Sequence, residues 1–220
     1  MKLLLTSAGI KNATIRDALV ELLGKPIAES SALCIPTASY GHPEGGPGAA
    51  WRFVTGRATT PMCELGWKSL GVLELTALPS IDKEYWVPLV QETDALLAGG
   101  GDATYLCHWM RQSGLADLLP SLRAVWVGVS GGSMVMTPSI GADFVSWSQA
   151  GSDATLGVVD FAIFPHLDHE RFPDNSMASA EEWAASMPVA SYAIDDQTAI
   201  KVSDGTIDVV SEGHWKRFSR

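Results

Sequence analysis

The chain has 220 residues and a formal net charge of −10, which argues against nucleic acid as a partner because phosphate binding needs a basic face. With 46% of residues hydrophobic and 18% charged, there is material for a substantial core, and global disorder is excluded. The length suits one domain over residues 1–220, and no apolar run approaches the ~20 residues of a membrane span, so no membrane partner is expected.

The opening Met1-Lys2-Leu3-Leu4-Leu5-Thr6-Ser7 is too short in its apolar part for a signal-peptide core and leads into Gly9. A first buried strand over Leu3 to Thr6 is the better reading. Asn12 then caps a helix that runs to Leu22 or Leu23 and ends at Gly24. Further strands are expected at Ser31 to Pro36, Val72 to Leu75, Ala95 to Ala98 and Val125 to Val129. Helical patterns lie between them near Ala49 to Thr55, Cys63 to Leu70, and Thr104 to Leu119 with a break at Gly114. Continuous apolar strands separated by helices predict an α/β fold with a mostly parallel central sheet and helices on both faces. Short strands joined by tight turns follow at Tyr192 to Ile194, Thr198 to Val202 and Ile207 to Val210. Cys34, Cys63 and Cys107 are odd in number, widely spaced and lack metal-ligand spacing, which points to reduced, largely buried thiols in a cytoplasmic protein.

The most informative segment is Val125-Trp126-Val127-Gly128-Val129-Ser130-Gly131-Gly132-Ser133. A buried strand runs into Gly-x-Ser-x-Gly and then into a helix-compatible stretch, the arrangement of a nucleophile elbow with Ser130 at its apex. An ordinary βα turn uses the same residue types, so the neighbours of the serine must decide. A serine hydroxyl needs a base within reach and a third group to orient that base. Of five histidines, His166 follows the strand-like Phe161-Ala162-Ile163-Phe164-Pro165 and therefore emerges at a strand end. His42 lies in the Gly/Pro-rich loop Tyr40 to Gly48, a candidate lid, His108 in a helix and His214 near the terminus. His166 and His169 with Asp168 or Glu170 form a weaker metal pattern, because a clear third ligand is missing; no metal or other cofactor is expected. For the orienting acid, Asp195 and Asp196 compete with Asp143, Asp153 and Asp160. Leu96-Leu97-Ala98-Gly99-Gly100-Gly101-Asp102 is a second glycine-rich strand exit whose N–H groups suit an oxyanion, joined by that of Gly131. It matches neither a dinucleotide fingerprint nor a P-loop.

With these residues in place, the chain resembles the S51 serine peptidases, the peptidase E or aspartyl dipeptidase group, and more distantly the cyanophycinases. The resemblance rests on the ordered motifs Leu3 to Ser7, Gly99 to Asp102, the elbow at Ser130, Asp160 to His166, and Ile194-Asp195-Asp196-Gln197-Thr198-Ala199. It implies a class I glutamine-amidotransferase-like, flavodoxin-like fold with short antiparallel C-terminal strands. It also implies Ser130 as nucleophile, His166 as base and Asp196 as acid, where the family commonly has glutamate. Gly131 stands where alanine is usual, and Asp102 where asparagine is frequent, as a substrate-contacting residue. The implied activity is hydrolysis of short peptides with an N-terminal aspartyl residue. Such a carboxylate needs a cation, for which Arg171 with His169 is the first candidate, ahead of Arg52 and Arg57. Cyanophycinase-like cleavage of β-aspartyl linkages and a non-catalytic binding role are the alternatives. The expected partner is a small peptide substrate, for a monomer or homodimer.

Overall fold

Residues Met1–Arg220 are described by a computed structural model. Five parallel strands form its spine: β1 (Lys2–Thr6), β2 (Ser31–Ile35), β3 (Ser69–Val72), β4 (Ala95–Ala98) and β5 (Val125–Val129). Alternation along the central strands serves two cores. Leu3, Leu5, Leu96, Ala98 and Trp126 pack into one face, while Leu4, Ala95, Leu97, Val125 and Val127 pack into the other. In β1, β4 and β5 both faces are buried, which is why these three read as unbroken apolar runs. Helices α1 (Ala13–Leu23), α2 (Pro47–Val54), α3 (Lys83–Glu92), α4 (Ala103–Ser113) and α5 (Leu115–Leu118) lie between the strands, and α6 (Gly131–Met134) follows β5.

The later chain supplies β6 (Phe161–Phe164), α7 (Met177–Ser186), β7 (Ala190–Ile194), β8 (Thr198–Ser203), β9 (Thr206–Ser211) and β10 (Trp215–Phe218). The large sheet has the order β3-β2-β4-β5-β1-β8-β9, and a small sheet has the order β10-β7-β6. Strands β8 and β9 extend the large sheet antiparallel to β1, and β10 pairs antiparallel with β7. One pairing in this region is parallel: β7 runs beside β6 in the register Phe164↔Ala193. In the large sheet, β5 sits between β4 and β1, so the three exits nearest its centre open at one carboxyl edge, where ligands of such sheets bind. No helix is long and apolar enough to cross a membrane.

Two sequence expectations shift. The third strand is Ser69–Val72, not Val72 to Leu75, and residues 63–68 form turns rather than a helix. Leu73 and Leu75 are buried where the chain leaves the sheet, whereas Leu70 and Val72 on the edge strand are 38% and 54% exposed. Apolar runs locate buried residues, and an edge strand is buried on fewer sides. Helix α3 was hidden by its internal Pro88, a residue that normally argues against a helix interior.

The start of α1 matches its reading closely. Asn12 Oδ1 accepts from the Ile15 N–H at 2.9 Å, and its Nδ2 donates to the Gln197 carbonyl at 2.9 Å. Replacing Asn12 with alanine should therefore lower stability by about 1–2 kcal/mol, seen as a lower urea midpoint with an unchanged m-value.

Candidate active site

Ser130 directly follows β5 with φ 49° and ψ −114°, a region that L-residues occupy only under constraint. Its N–H donates to the Thr6 carbonyl at 3.0 Å, and the N–H groups of Ser133 and Met134 return to the Ser130 carbonyl at 2.8 and 2.9 Å. Ser133 Oγ donates to the same Thr6 carbonyl at 2.8 Å. The turn is tight enough to demand glycine around it. A Cβ on Gly128 would run into the Gly132 carbonyl, and one on Gly132 into that of Ala98.

The exit of β4 closes over this elbow. Gly101 has φ 139°, and a Cβ there would strike the Ala38 carbonyl. A Cβ on Gly100 would lie 3.6 Å from that of Ser130, so this turn borders the serine directly. The N–H groups of Gly100 and Gly101 donate to no backbone acceptor, and that of Gly131, first in α6, has no intrahelical partner. Backbone N–H groups without a backbone acceptor thus lie in the turn that borders Ser130 and in the residue that follows it. Gly131 is glycine for a local reason: a Cβ on it would run into the Gly101 carbonyl.

His166 and Asp196 are brought together by the small sheet. Each follows one of two adjacent parallel strands, β6 and β7. His166 Nδ1 lies 2.7 Å from Asp196 Oδ1, and because a carboxylate only accepts, this nitrogen carries the proton. Nε2 is left without a partner in the chain and is the nitrogen available to Ser130. Ser130 and His166 border the same cleft; no hydrogen bond joins them here, and such contacts tighten when substrate binds. The His166 ring packs against Phe172 with centroids 5.0 Å apart. Burial opposes ionisation of Asp196, but the hydrogen bond and charge of His166, the Ser7 hydroxyl and the charge of His169 outweigh it and hold its carboxyl below the ordinary value of 3.8.

The competing acids are engaged elsewhere or stand apart. Asp195 accepts from Thr198 Oγ1 at 2.6 Å, from the Gln197 N–H at 3.1 Å and from the His214 N–H at 2.8 Å. Asp153 accepts from Ser139 Oγ and the Gly141 N–H, Asp160 is exposed, and Asp143 borders the cleft, whereas the carboxylate paired with His166 is that of Asp196.

Asp102 departs from its expected role as a substrate contact. It is 1% exposed, and its carboxylate accepts from the Tyr105 N–H and Thr104 Oγ1 on one oxygen and from the N–H groups of Ser146 and Trp147 on the other. It caps α4 and anchors the 146–147 loop, so neither oxygen is free for a ligand. Arg171 and His169 do border the cleft. Arg171 is exposed and pairs with no carboxylate, while His169 Nε2 approaches Asp196 Oδ2 at 3.4 Å. Arg52 and Arg57 lie outside the cleft lining, and Arg57 sits over the Trp51 ring. Asp168, offered as a metal ligand, instead pairs with His214 Nε2 at 2.9 Å.

Sequence reasoning missed Lys11 and Ser7. Lys11 borders the cleft and donates to the Thr59 carbonyl at 2.8 Å; its place in the loop after β1 was the available signal. The cleft has a volume of about 930 Å³. One wall is the Tyr40 to Gly48 loop, which contributes His42, Glu44 and Gly45 and is tied back by the Gly46 N–H to the Ser39 carbonyl at 2.7 Å.

A mostly parallel α/β sheet with a strained serine at its carboxyl edge and a histidine–carboxylate pair across the cleft defines a hydrolase-type class of protein. The model of peptidase family S51 matches residues 3–210, and the chain belongs to that family of peptidases. Its fold is similar to that of a Listeria monocytogenes EGD-e protein proposed to be a peptidase E, with a TM-score of 0.71, 17% identity, and coverage of 96% of this chain and 98% of that one. It is also similar to a peptidase from an acI-B1 Actinobacterium, with a TM-score of 0.70, 21% identity, and coverage of 99% and 93%. Comparison with curated proteins returned no match.

Two outcomes follow from this geometry. Gly131→Ala should push the Gly101 turn off the elbow and reduce turnover of a cleaved peptide at least ~10-fold, with circular dichroism unchanged. Because the Asp196 carboxyl is depressed in the folded state, its stabilisation is present above the unfolded value near 3.8 and is lost as pH falls through the lower folded value. The Tm of the parent protein should therefore drop more steeply between about pH 5 and pH 2 than that of Asp196→Asn, measured by thermal melts across that range.

Proposed function

We propose that this chain is a serine exopeptidase that hydrolyses short peptides with an N-terminal aspartyl residue. The observation that carries the serine mechanism is the left-handed Ser130 elbow facing the cleft that also receives the Asp196-paired His166. Ser130 Oγ attacks the scissile carbonyl while its proton passes to His166 Nε2, and Asp196 stabilises the imidazolium that forms. The N–H groups of Gly100, Gly101 and Gly131 hold the developing oxyanion. His166 returns the proton to the leaving amine, and a water attacks the acyl-enzyme by the same route in reverse.

The aspartyl preference is supported by the cations of the cleft. Arg171 and Lys11 border it together with His169 and His42, and a guanidinium suits a carboxylate in two-point contact. Glu44, Asp143 and Asp174 line the same cleft and suit the substrate's amino terminus. These three carboxylates also favour a second reading, cleavage of β-aspartyl-arginine, in which they receive the guanidinium of the arginine.

Ser130→Ala should abolish hydrolysis of Asp-Leu, by a factor of at least ~10⁴, while leaving the melting temperature within a few degrees. Retained activity in the purified variant would sink the serine mechanism. Rates on Asp-Leu, Ala-Leu and β-Asp-Arg separate the two substrate readings, and Arg171→Ala should raise KM for the aspartyl substrate about 10-fold or more.

A further inference from the structure

The end of β1 touches both halves of the site through two consecutive residues. The Thr6 carbonyl receives the Ser130 N–H and the Ser133 hydroxyl. Ser7, fully buried, turns to the other half. Its hydroxyl donates to Asp196 Oδ1 at 2.9 Å and accepts from the His166 backbone N–H at 2.8 Å. The same oxygen stands 3.3 Å from His166 Nδ1, so it shares with that nitrogen the one carboxylate oxygen that orients the imidazole.

We propose that Ser7 is a positioning residue: its hydroxyl holds the Asp196 carboxylate and the left-handed backbone of His166 in the single arrangement that aims Nε2 at Ser130. This rests on the reading of Ser130 as nucleophile. Three facts carry it. His166 has φ 56°, a conformation that a non-glycine residue keeps only when held, and its N–H is tied to the Ser7 hydroxyl. Aspartate is a short acid, and Oδ1 is fixed from a second direction by Ser7, so the carboxylate has little freedom to turn from the imidazole. A serine hydroxyl has one proton and two lone pairs; here the proton goes to Asp196 and a lone pair to His166, so the group is used in both directions. The nucleophile and the base belong to different sheets, and Thr6–Ser7 is the segment that bonds directly to both. Removing the hydroxyl would leave the fold its strand and loosen only the base and acid.

The test uses the full chain and a fluorophosphonate probe of Ser130, alone and in a double-mutant cycle. Ser7→Ala should slow labelling by ~10–100-fold, the range seen when a supporting partner of a reactive group is lost. In the Asp196→Asn background the same substitution should slow labelling by a factor at least about threefold smaller than in the parent, because the part of its action that runs through Asp196 is already lost while the bond to the His166 N–H remains. The second readout is the imidazole Nδ1 proton of His166 by NMR, which should move upfield or broaden in Ser7→Ala. Equal slowing in both backgrounds would mark a general structural effect and overturn the proposal, as would an unchanged rate. If Ser130 in the parent protein does not react with the probe at all, the nucleophile reading fails. The NMR arm then decides Ser7 independently, and an unaltered His166 signal overturns its role. Should Ser7→Ala fail to fold, Ser7→Cys keeps the buried volume with a weak donor and is read by the same two measurements, with the same outcomes expected.

Discussion

Ser130 stands at φ 49°, ψ −114°, and a backbone of that kind costs on the order of 1–3 kcal/mol unless its surroundings leave no alternative. Here they leave none. The strand behind it is pinned between β4 and β1, its N–H is taken by Thr6, and its carbonyl is taken by the first turn of α6. The glycines at 128, 131 and 132 follow from this constraint, because the elbow is pressed against its own helix and against the exits of β4. The same crowding packs the Gly100–Gly101 turn against Ser130 and Gly131.

The rest of the site belongs to a second sheet. Strands β6 and β7 are neighbours and parallel, so the residues just past their ends, His166 and Asp196, necessarily lie side by side. The chain then leaves Asp196 and enters β8, which pairs with β1. That one connection brings the acid back to the large sheet, where the end of β1 meets it. Parallel pairing in the small sheet fixes the His166–Asp196 distance, and the β7–β8 link fixes where that pair stands relative to Ser130.

Charge is distributed to match. The chain carries an excess of ten negative charges, yet Lys11 and Arg171 both border the cleft. An anionic group entering an acidic protein needs such a local exception, and the adjoining Glu44, Asp143 and Asp174 leave room for a cationic group beside it. At the centre, Asp196 stays ionised despite burial because two histidines and a hydroxyl face it.

What could be read along the chain was whatever is local. Buried parallel strands announce themselves as apolar runs, a serine elbow requires small neighbours, and a helix start shows its cap; Ser130, the glycine exits, Asn12 and the strand-end His166 were legible for those reasons, and so was the family through the order of the motifs. Other features depended on contacts between distant segments. Asp195 and Asp196 are adjacent and chemically alike, and only the packing of the β7 exit sends one into a turn with Thr198 and His214 and the other to His166. Asp102 looked free to meet a substrate until the loop at 146–147 folded onto it. Ser7 is indistinguishable from any serine at a strand end until residues 166 and 196 arrive beside it. Local backbone preference determined the elements and the setting of Ser130; the choice among identical side chains was made by long-range pairing, because no residue's neighbours in sequence report which distant strand will stand next to it.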